Sequence, residues 1–422
     1  MVVEVETGDG RREWGDGFPV SLVCGASNAG LRFSRLPSFI LPSLTLPSML
    51  TGTPNTPELV TGLAELETPC GLVDLDRMAT NLDRMASYAV LHGLALRPHV
   101  KTHKSPRIAA EQMRLGAVGL TCATPRELEV MAEVADDLLL AYPLLGAHKL
   151  SRAMRLRRGV RLSVGLDSMI AVDALADAAY AANREVDVLI EVDLGMHRVG
   201  VQSAEEAAAL ALLVRSRPPL RYAGVMFYPG HIREHVTQQT STLGQLRSGV
   251  QDLIATLHDS GVPPKVVSGG STPAAWRMHE IPGVTEVRPG TYVYNDRSTA
   301  ALGACSWDDC AFTVLGTVVS TAVPGQAVVD CGAKALGREP MRGVAGEGFA
   351  ALLDRPDVVV TKMSEEHGIL DLSQTAWRPV VGEMVRLVPN HVCIVVHLND
   401  TIIGVRGDQV ETSWPVAARG RR

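Results

Sequence analysis

The sequence predicts an α/β protein, in which a (β/α)8 barrel over residues 76–297 is joined to a β-rich domain over residues 300–417. Two observations predict this. From residue 70 onward, short β-branched or leucine-rich runs alternate with helical patterns, which is typical of right-handed βαβ units on a parallel sheet. After residue 300 the helical pattern fades, and strand-like runs separated by turn residues follow.

Nine strand candidates precede residue 300, one more than a closed eight-stranded barrel uses. They are residues 71–75, 94–100, 117–122, 137–142, 160–166, 186–192, 221–227, 265–269 and 285–293. The helical stretches between them often open with Ser, Thr or Asp followed by Pro or an acidic residue, as helix N-termini do. We expect the first candidate to join the β domain, which then comprises residues 62–75 and 300–417. A nine-stranded open sheet is the alternative.

The net charge and the cysteines bear on the binding partners and the location of the protein. The net charge of −6 argues against a nucleic-acid-binding protein, which would carry a basic face. Seven scattered cysteines do not form a recognisable disulfide framework, so we expect a reducing, cytoplasmic location.

Residues 1–60 are predicted to be a poorly ordered extension outside the fold. The apolar stretch at 36–50 carries Pro37, Pro42 and Pro47, which work against a membrane-spanning helix. The acidic start does not fit a secretory signal. Met49 is a second candidate for the start of translation.

Lys101 is the first candidate catalytic residue. It ends the apolar run "LALRPHV" inside the stretch "RPHVKTHK", where a barrel carries its chemistry. Partial burial near Arg97 and Lys104 would disfavour the protonated amine. A neutral amine can form a Schiff base with a carbonyl compound. One alternative is that Lys101 is a solvated surface lysine. The other is that Lys104 is the reactive amine, although the position of Lys104 past the strand end points to solvent.

The stretch "VVSGGSTPAAW" predicts a phosphate site after the seventh barrel strand. Gly269 and Gly270 allow backbone N–H groups to approach an anion, and the helix that opens at Pro273 adds partial positive charge. The hydroxyls of Ser271 and Thr272 complete the site. An ordinary glycine-rich turn before a capped helix is the alternative.

The stretch "VPNHVCIVVHL" predicts a metal-binding pair. On a strand, His391 and Cys393 would point to the same face, and histidine with thiolate suits zinc better than magnesium or calcium. A half-buried histidine beside a core cysteine is the alternative.

Two further stretches carry polar residues near strand ends. Arg198 in "EVDLGMHRVGV" could bind an oxygen anion or pair with a neighbouring carboxylate. Tyr228, His231 and His235 in "MFYPGHIREH" could carry protons, or the histidines could simply be loop residues.

Seven motifs in one order resemble a known family. They are "LRPHVKTHK", "EVDLGMHRVGV", "YPGH", "VSGGSTP", "EVRPGTYVYND", "SEEHG" and "PNHVC". Together they resemble the metal-assisted D-threonine aldolases and D-serine dehydratases, which depend on pyridoxal phosphate (PLP) and have an alanine-racemase-type barrel of fold type III. The resemblance covers about residues 66–412.

The resemblance implies a role for each candidate. Lys101 would be the Schiff-base lysine, Arg198 would face the PLP phenolic oxygen, and Tyr228 would lie near the pyridine nitrogen. His391 and Cys393 would bind a divalent metal, zinc in preference to manganese. A homodimer with the active site near the subunit boundary is also implied. The PLP phosphate would be held by Ser268, Gly269, Gly270, Ser271 and Thr272, with help from Gly290 and Thr291.

The reaction is expected to be D-serine dehydratase-like: loss of water from a β-hydroxy D-amino acid, giving a keto acid and ammonia. This rests on Cys393, because the similar aldolases carry His-Cys-Asp where this chain carries His-Val-Cys. The first alternative is a D-threonine aldolase, in which His231 or His235 takes the β-hydroxyl proton and glycine and acetaldehyde form. An amino-acid racemase and a non-catalytic PLP-binding protein are the others.

Overall fold

A computed structural model of the chain describes residues 62–342 and 348–420. The predicted N-terminal extension and the alternative start at Met49 therefore lie outside the described residues. In the described part, no helix is both long and apolar enough to cross a membrane.

The first strand, β1 (Cys70–Asp74), leads into helix α1 (Leu75–Leu91). Eight parallel strands then form one sheet in the order β2-β9-β8-β7-β6-β5-β4-β3. They are β2 (Ala95–Leu96), β3 (Leu120–Cys122), β4 (Asp137–Leu140), β5 (Arg161–Leu166), β6 (Val186–Glu191), β7 (Leu220–Met226), β8 (Val266–Gly269) and β9 (Glu286–Val287).

Backbone hydrogen bonds join the two ends of this sheet. The Val118 nitrogen donates to the Leu96 carbonyl, and the Val100 nitrogen donates to the Thr121 carbonyl, both at 2.9 Å. A parallel bridge between His99 and Thr121 lies between them. The eight strands therefore close into a barrel, which confirms the predicted fold class and makes the open nine-stranded sheet wrong.

Helices alternate with these strands as the sequence predicts. They are α2 (Pro106–Arg114), α3 (Pro125–Met131), α4 (Ala147–Met154), α5 (Met169–Ala181), α6 (Ala204–Arg215), α7 (Thr240–Asp259) and the short α8 (Thr272–Ala275). Side-chain caps start several of them. Thr124 accepts the Glu127 N–H at 3.2 Å, and Ser203 accepts the Glu206 N–H at 3.1 Å.

A second sheet of nine strands contains β1. It adds β10 (Phe312–Ser320), β11 (Gln326–Val329), β12 (Ala350–Leu352), β13 (Val360–Met363), β14 (Gly368–Asp371), β15 (Met384–Pro389), β16 (Thr401–Arg406) and β17 (Gln409–Pro415). Strand β1 pairs antiparallel with β10 and parallel with β16, so the expectation for residues 71–75 is confirmed. Three short helices complete the fold: α9 (Arg297–Ala301), α10 (Ala333–Leu336) and α11 (Val392–Leu398).

A network of charged side chains crosses the barrel wall. Arg97 donates from Nε to Glu286 at 2.7 Å and from Nη1 to Asp137 at 2.6 Å. The Ser268 hydroxyl donates to the other Glu286 oxygen at 2.5 Å and accepts from Arg288. Buried ions are tolerated when each is paired and hydrogen-bonded, so this network holds β2, β4, β8 and β9 in one register.

Arg97→Met should lower the free energy of unfolding by about 3 kcal/mol or more, because it leaves the buried Glu286 carboxylate without its partner. Arg152→Met is the matched control. The Arg152–Glu129 pair has similar geometry, at 2.6 Å, but is partly exposed, so its loss should cost about 1 kcal/mol or less. Urea unfolding of both variants without cofactor makes the comparison, and equal losses would contradict the assigned role of the network.

Candidate active site

Lys101 lies in a tight turn that continues the β2 direction. The Val100 nitrogen is bonded to β3, and the Lys104 nitrogen then donates back to the Val100 carbonyl at 2.8 Å. This turn carries the half-buried Lys101 side chain over the barrel mouth, where its Nζ lies 5.5 Å from the centre of the Tyr228 ring. Burial and the Lys101 charge hold the pKa of neighbouring His99 well below its usual value.

Lys104 differs from the expectation. Its side chain is buried rather than solvent-facing, and its amine forms an ion pair with the fully buried Glu127. Its backbone is left-handed, with φ 52°, which ends the turn. Lys104 therefore holds the turn in place, and Lys101 is the lysine whose amine faces the site.

Arg198 is presented by a loop that follows β6. The loop closes through a bridge between Val192 and Val201, and the Asp167 carboxylate accepts the Gly200 N–H at 2.9 Å. At its centre, one carboxylate oxygen of Asp193 accepts three backbone N–H groups, at 2.8 to 3.0 Å, from Gly195, Met196 and His197.

This loop places Arg198 above Tyr228. The Arg198 Cζ lies 4.9 Å from the centre of the Tyr228 ring, and its Nη2 is 4.0 Å from the Glu191 carboxylate. Burial raises the pKa of Glu191, while Arg288 and Arg198 oppose that shift. Arg198 is thus half-exposed and loosely paired, which leaves guanidinium N–H groups for an anionic ligand.

The glycine-rich stretch after β8 has the form of an anion site. Gly270 has φ 101°, which favours glycine, and a Cβ at Gly269 would lie 2.3 Å from the Phe227 ring. The Thr272 hydroxyl is buried and has no hydrogen-bond partner among the described residues. Ser271 is buried beside it, and its hydroxyl donates to the Pro229 carbonyl at a long 3.5 Å, so Thr272 is the donor of this stretch that lacks a protein acceptor in the described part of the chain.

Ser268 stands apart from the other predicted phosphate residues. Its hydroxyl is fully buried and bonded to Glu286 and Arg288 in the barrel network. The hydroxyl is therefore already engaged inside the barrel and is not free to bind a phosphate.

Gly290 and Thr291 follow β9, the strand that pairs with β8. A Cβ at Gly290 would come 3.0 Å from the Thr102 hydroxyl and 3.1 Å from the His99 carbonyl, so any larger residue there would press on both atoms. The Thr291 hydroxyl lies 4.0 Å from the Cys393 sulfur. This brings the predicted phosphate residues next to the predicted metal residues.

The predicted strand through His391 and Cys393 is wrong. Strand β15 ends at Pro389 and helix α11 begins at Val392, with His391 as its extended N-cap. The Asp296 carboxylate accepts the Val392 N–H at 3.2 Å and so starts the helix. The two side chains nevertheless lie together, within hydrogen-bonding range.

The donor set of this pair fits a divalent metal. Burial by itself would lower the pKa of His391, but the Cys393 thiolate and Asp296 outweigh it and raise that pKa to about 10. Burial would raise the pKa of Cys393, but His391 and Lys101 bring it to about 7. The His391 Nδ1 is bonded to Asp296 at 3.0 Å, which leaves Nε2 as the ligand atom, as in many histidine–zinc sites.

The two candidate proton carriers have different surroundings. His231 packs against Gly195 in the Arg198 loop, and burial lowers its pKa. His235 is exposed and packs against Gly303. Its Nδ1 lies 2.8 Å from the Thr237 hydroxyl, and its side chain caps the short 3-10 helix Val236–Gln238. The contacts of His235 are those of a structural residue.

Sequence reasoning gave no role to three residues of this site. Thr102 contacts Cys393, Asp296 orients His391, and the buried Arg288 joins the barrel network. All three belong to motifs that the sequence did single out, but their partners are distant in the chain.

Two family models match the chain. Residues 73–298 match the model described as alanine racemase, N-terminal domain, and residues 311–405 match a serine dehydratase domain. The chain belongs to the alanine racemase N-terminal domain family. It is a PLP-dependent lyase of fold type III, which confirms the recognised family, fold and enzyme class.

The chain is similar both to dehydratases and to aldolases. It is 36% identical to D-threo-3-hydroxyaspartate dehydratase of Delftia sp., covering 78% of the chain and 92% of that enzyme. It is 32% identical to D-threonine aldolase of Arthrobacter sp., covering 85% and 94%. The crystal structure of D-threonine aldolase from Filomicrobium marinum has a TM-score of 0.77 at 33% identity, covering 86% and 98%.

Two solved variants of a D-threo-3-hydroxyaspartate dehydratase concern a pair of residues with the same spacing as His391 and Cys393. In one, at a TM-score of 0.76, a histidine is replaced by alanine. In the other, at 0.75, a cysteine two positions later is replaced by alanine, and that structure is in the metal-free form.

Replacing each of the two lysines separates their roles. Lys104→Met should lower the free energy of unfolding of the cofactor-free protein by about 3 kcal/mol, because Glu127 stays buried without a partner. Lys101→Met should leave stability near wild type but abolish the visible absorption of covalently held PLP. Loss of that absorption in Lys104→Met, with retention in Lys101→Met, would assign the reactive amine to Lys104.

Proposed function

We propose that this protein is a D-serine dehydratase-like lyase, which removes water from β-hydroxy D-amino acids and yields a keto acid and ammonia. The observation that carries this is the contact of His391 with Cys393 at the mouth of the barrel, beside Lys101. The histidine and cysteine variants of the similar D-threo-3-hydroxyaspartate dehydratase support the same interpretation.

Lys101 would hold PLP covalently, and Arg198 and Tyr228 would contact its ring. The phosphate would lie against Gly269, Gly270, Ser271 and Thr272 after β8, with help from Gly290 and Thr291 after the neighbouring β9. When bound, PLP supplies an electron sink for negative charge at the substrate Cα. The unpartnered Thr272 hydroxyl and the glycine at 290 support this placement.

His391 Nε2 and Cys393 Sγ would hold a divalent metal, for which we propose zinc, with manganese as the alternative. Such an ion supplies a Lewis acid for the β-hydroxyl of the substrate. The mixed nitrogen and sulfur donors support zinc.

Proton transfer and anion binding would be carried out by side chains of this chain. Lys101 Nζ would take the proton from Cα, which is supported by the action of its charge on Cys393 and by its position over the Tyr228 ring. Arg198, with its guanidinium above that ring, would hold an oxygen anion. After elimination, the unsaturated amine product hydrolyses in water to the keto acid and ammonia.

Two further proposals concern the state of the protein. We propose a homodimer, which exposed apolar side chains near the barrel mouth support: Tyr142, Leu145, Met169 and Ile170. We also propose a reducing, cytoplasmic location, because the six cysteines of the described residues are free thiols.

Product analysis tests the reaction. With D-serine, and with D-threo-3-hydroxyaspartate, the PLP- and zinc-loaded protein should release keto acid and ammonia in equal amounts. The second candidate is aldol cleavage, which the 32% identity to D-threonine aldolase favours. Glycine and acetaldehyde from D-threonine, without ammonia, would replace the dehydratase by the aldolase.

Metal removal tests the proposed centre. Chelation should abolish turnover while the PLP absorption remains, and added zinc should restore turnover.

Asp296→Asn should weaken zinc binding by about 10- to 100-fold, because it removes the carboxylate that orients the His391 ring. Asp187→Asn, on the barrel wall, is the control, and equal zinc affinity in both variants would argue against a metal bound by His391.

A further inference from the structure

Thr102 joins the lysine turn to the metal pair. Its side chain is fully buried, and its hydroxyl lies 3.3 Å from the Cys393 sulfur. On its other side, the hydroxyl is the nearest atom to the position that a Cβ at Gly290 would take. Because Thr102 directly follows Lys101, the same turn carries the Lys101 amine and contacts both Gly290 and the Cys393 sulfur.

The direction of this hydrogen bond follows from the chemistry of a metal-bound cysteine. The ligand is the thiolate, which carries no proton, so the Thr102 hydroxyl has to donate. The hydroxyl of Thr291 is the next nearest, at 4.0 Å, the limit for a hydrogen bond to sulfur. Thr102 therefore provides the shorter of the two contacts to this sulfur.

The residue type also fits the task. Threonine is branched at Cβ, so few χ1 rotamers are open to it in a buried site. Its methyl group restricts rotation and keeps the hydroxyl directed at the sulfur. Outer partners of this kind orient metal ligands and tune the metal that they hold.

We propose that Thr102 is a positioning residue of the metal centre, whose hydroxyl donates to the Cys393 thiolate and fixes the metal relative to the Lys101 amine. This inference rests on the metal site proposed above. It assigns Thr102 no contact with substrate, and its effect is exerted through Cys393.

Zinc affinity of the PLP-loaded protein tests this role, measured by competition with a fluorescent chelator. Thr102→Val keeps the shape but removes the hydroxyl, and should weaken zinc binding by about 10-fold. Thr102→Ser should restore affinity to near wild type. Thr313→Val, at a buried threonine of β10, is the matched control and should bind zinc like the wild type.

A spectroscopic readout separates positioning from general damage. With cadmium in place of zinc, the cadmium NMR signal reports electron density on the bound sulfur, so it should shift in Thr102→Val and return in Thr102→Ser. If Thr102→Val does not fold, Thr102→Ala removes the same hydroxyl without adding bulk.

The outcomes separate the two proposals. If wild type binds zinc and Thr102→Val has the same affinity and cadmium signal, the role of Thr102 is overturned while the metal site stands. If the wild type binds neither ion, the proposed metal site fails, and the role of Thr102 fails with it.

Discussion

The site depends on the short turn that the Lys104 nitrogen closes on the Val100 carbonyl. A left-handed conformation costs a residue such as Lys104 about 1 kcal/mol or more, and its buried ion pair with Glu127 offsets this. Within the turn, Lys101 reaches into the barrel mouth and Thr102 reaches the β domain. The backbone conformation of this turn thus sets the distance between the Lys101 amine and the Cys393 sulfur.

The barrel interior supplies a rigid base for this turn. Arg97, Glu286 and Arg288 alternate in charge, and the hydroxyl of Ser268 links the last two by donating to one and accepting from the other. Such a chain is stable only when complete, because each buried charge is compensated by its neighbours. At its far end, Arg288 donates to the Phe227 carbonyl at 2.9 Å, so the network also ties down the residue that precedes Tyr228.

The sequence was sufficient for the architecture because periodicity and turn residues are local signals. The alternation of strands and helices predicted the barrel, and the surplus strand at 71–75 predicted its transfer to the second sheet. The conformation at Cys393 could not be predicted in the same way, since a run of β-branched residues has no period that separates strand from helix. Helix α11 starts there because Asp296, far away in the chain, accepts its first N–H. Lys104 was misread for the same reason, because its partner Glu127 is distant.

The geometry also bears on which bond of the substrate breaks. Dehydration needs a base at Cα and an electrophile at the β-hydroxyl, and Lys101 and the His391–Cys393 pair lie close enough for charge to act between them. Aldol cleavage needs a base at the hydroxyl proton itself. Burial lowers the pKa of His231, and its ring packs on Gly195, in the loop that carries Arg198. We propose that the base beside His391 and Cys393 is Lys101, which would remove the Cα proton and so favour elimination over cleavage.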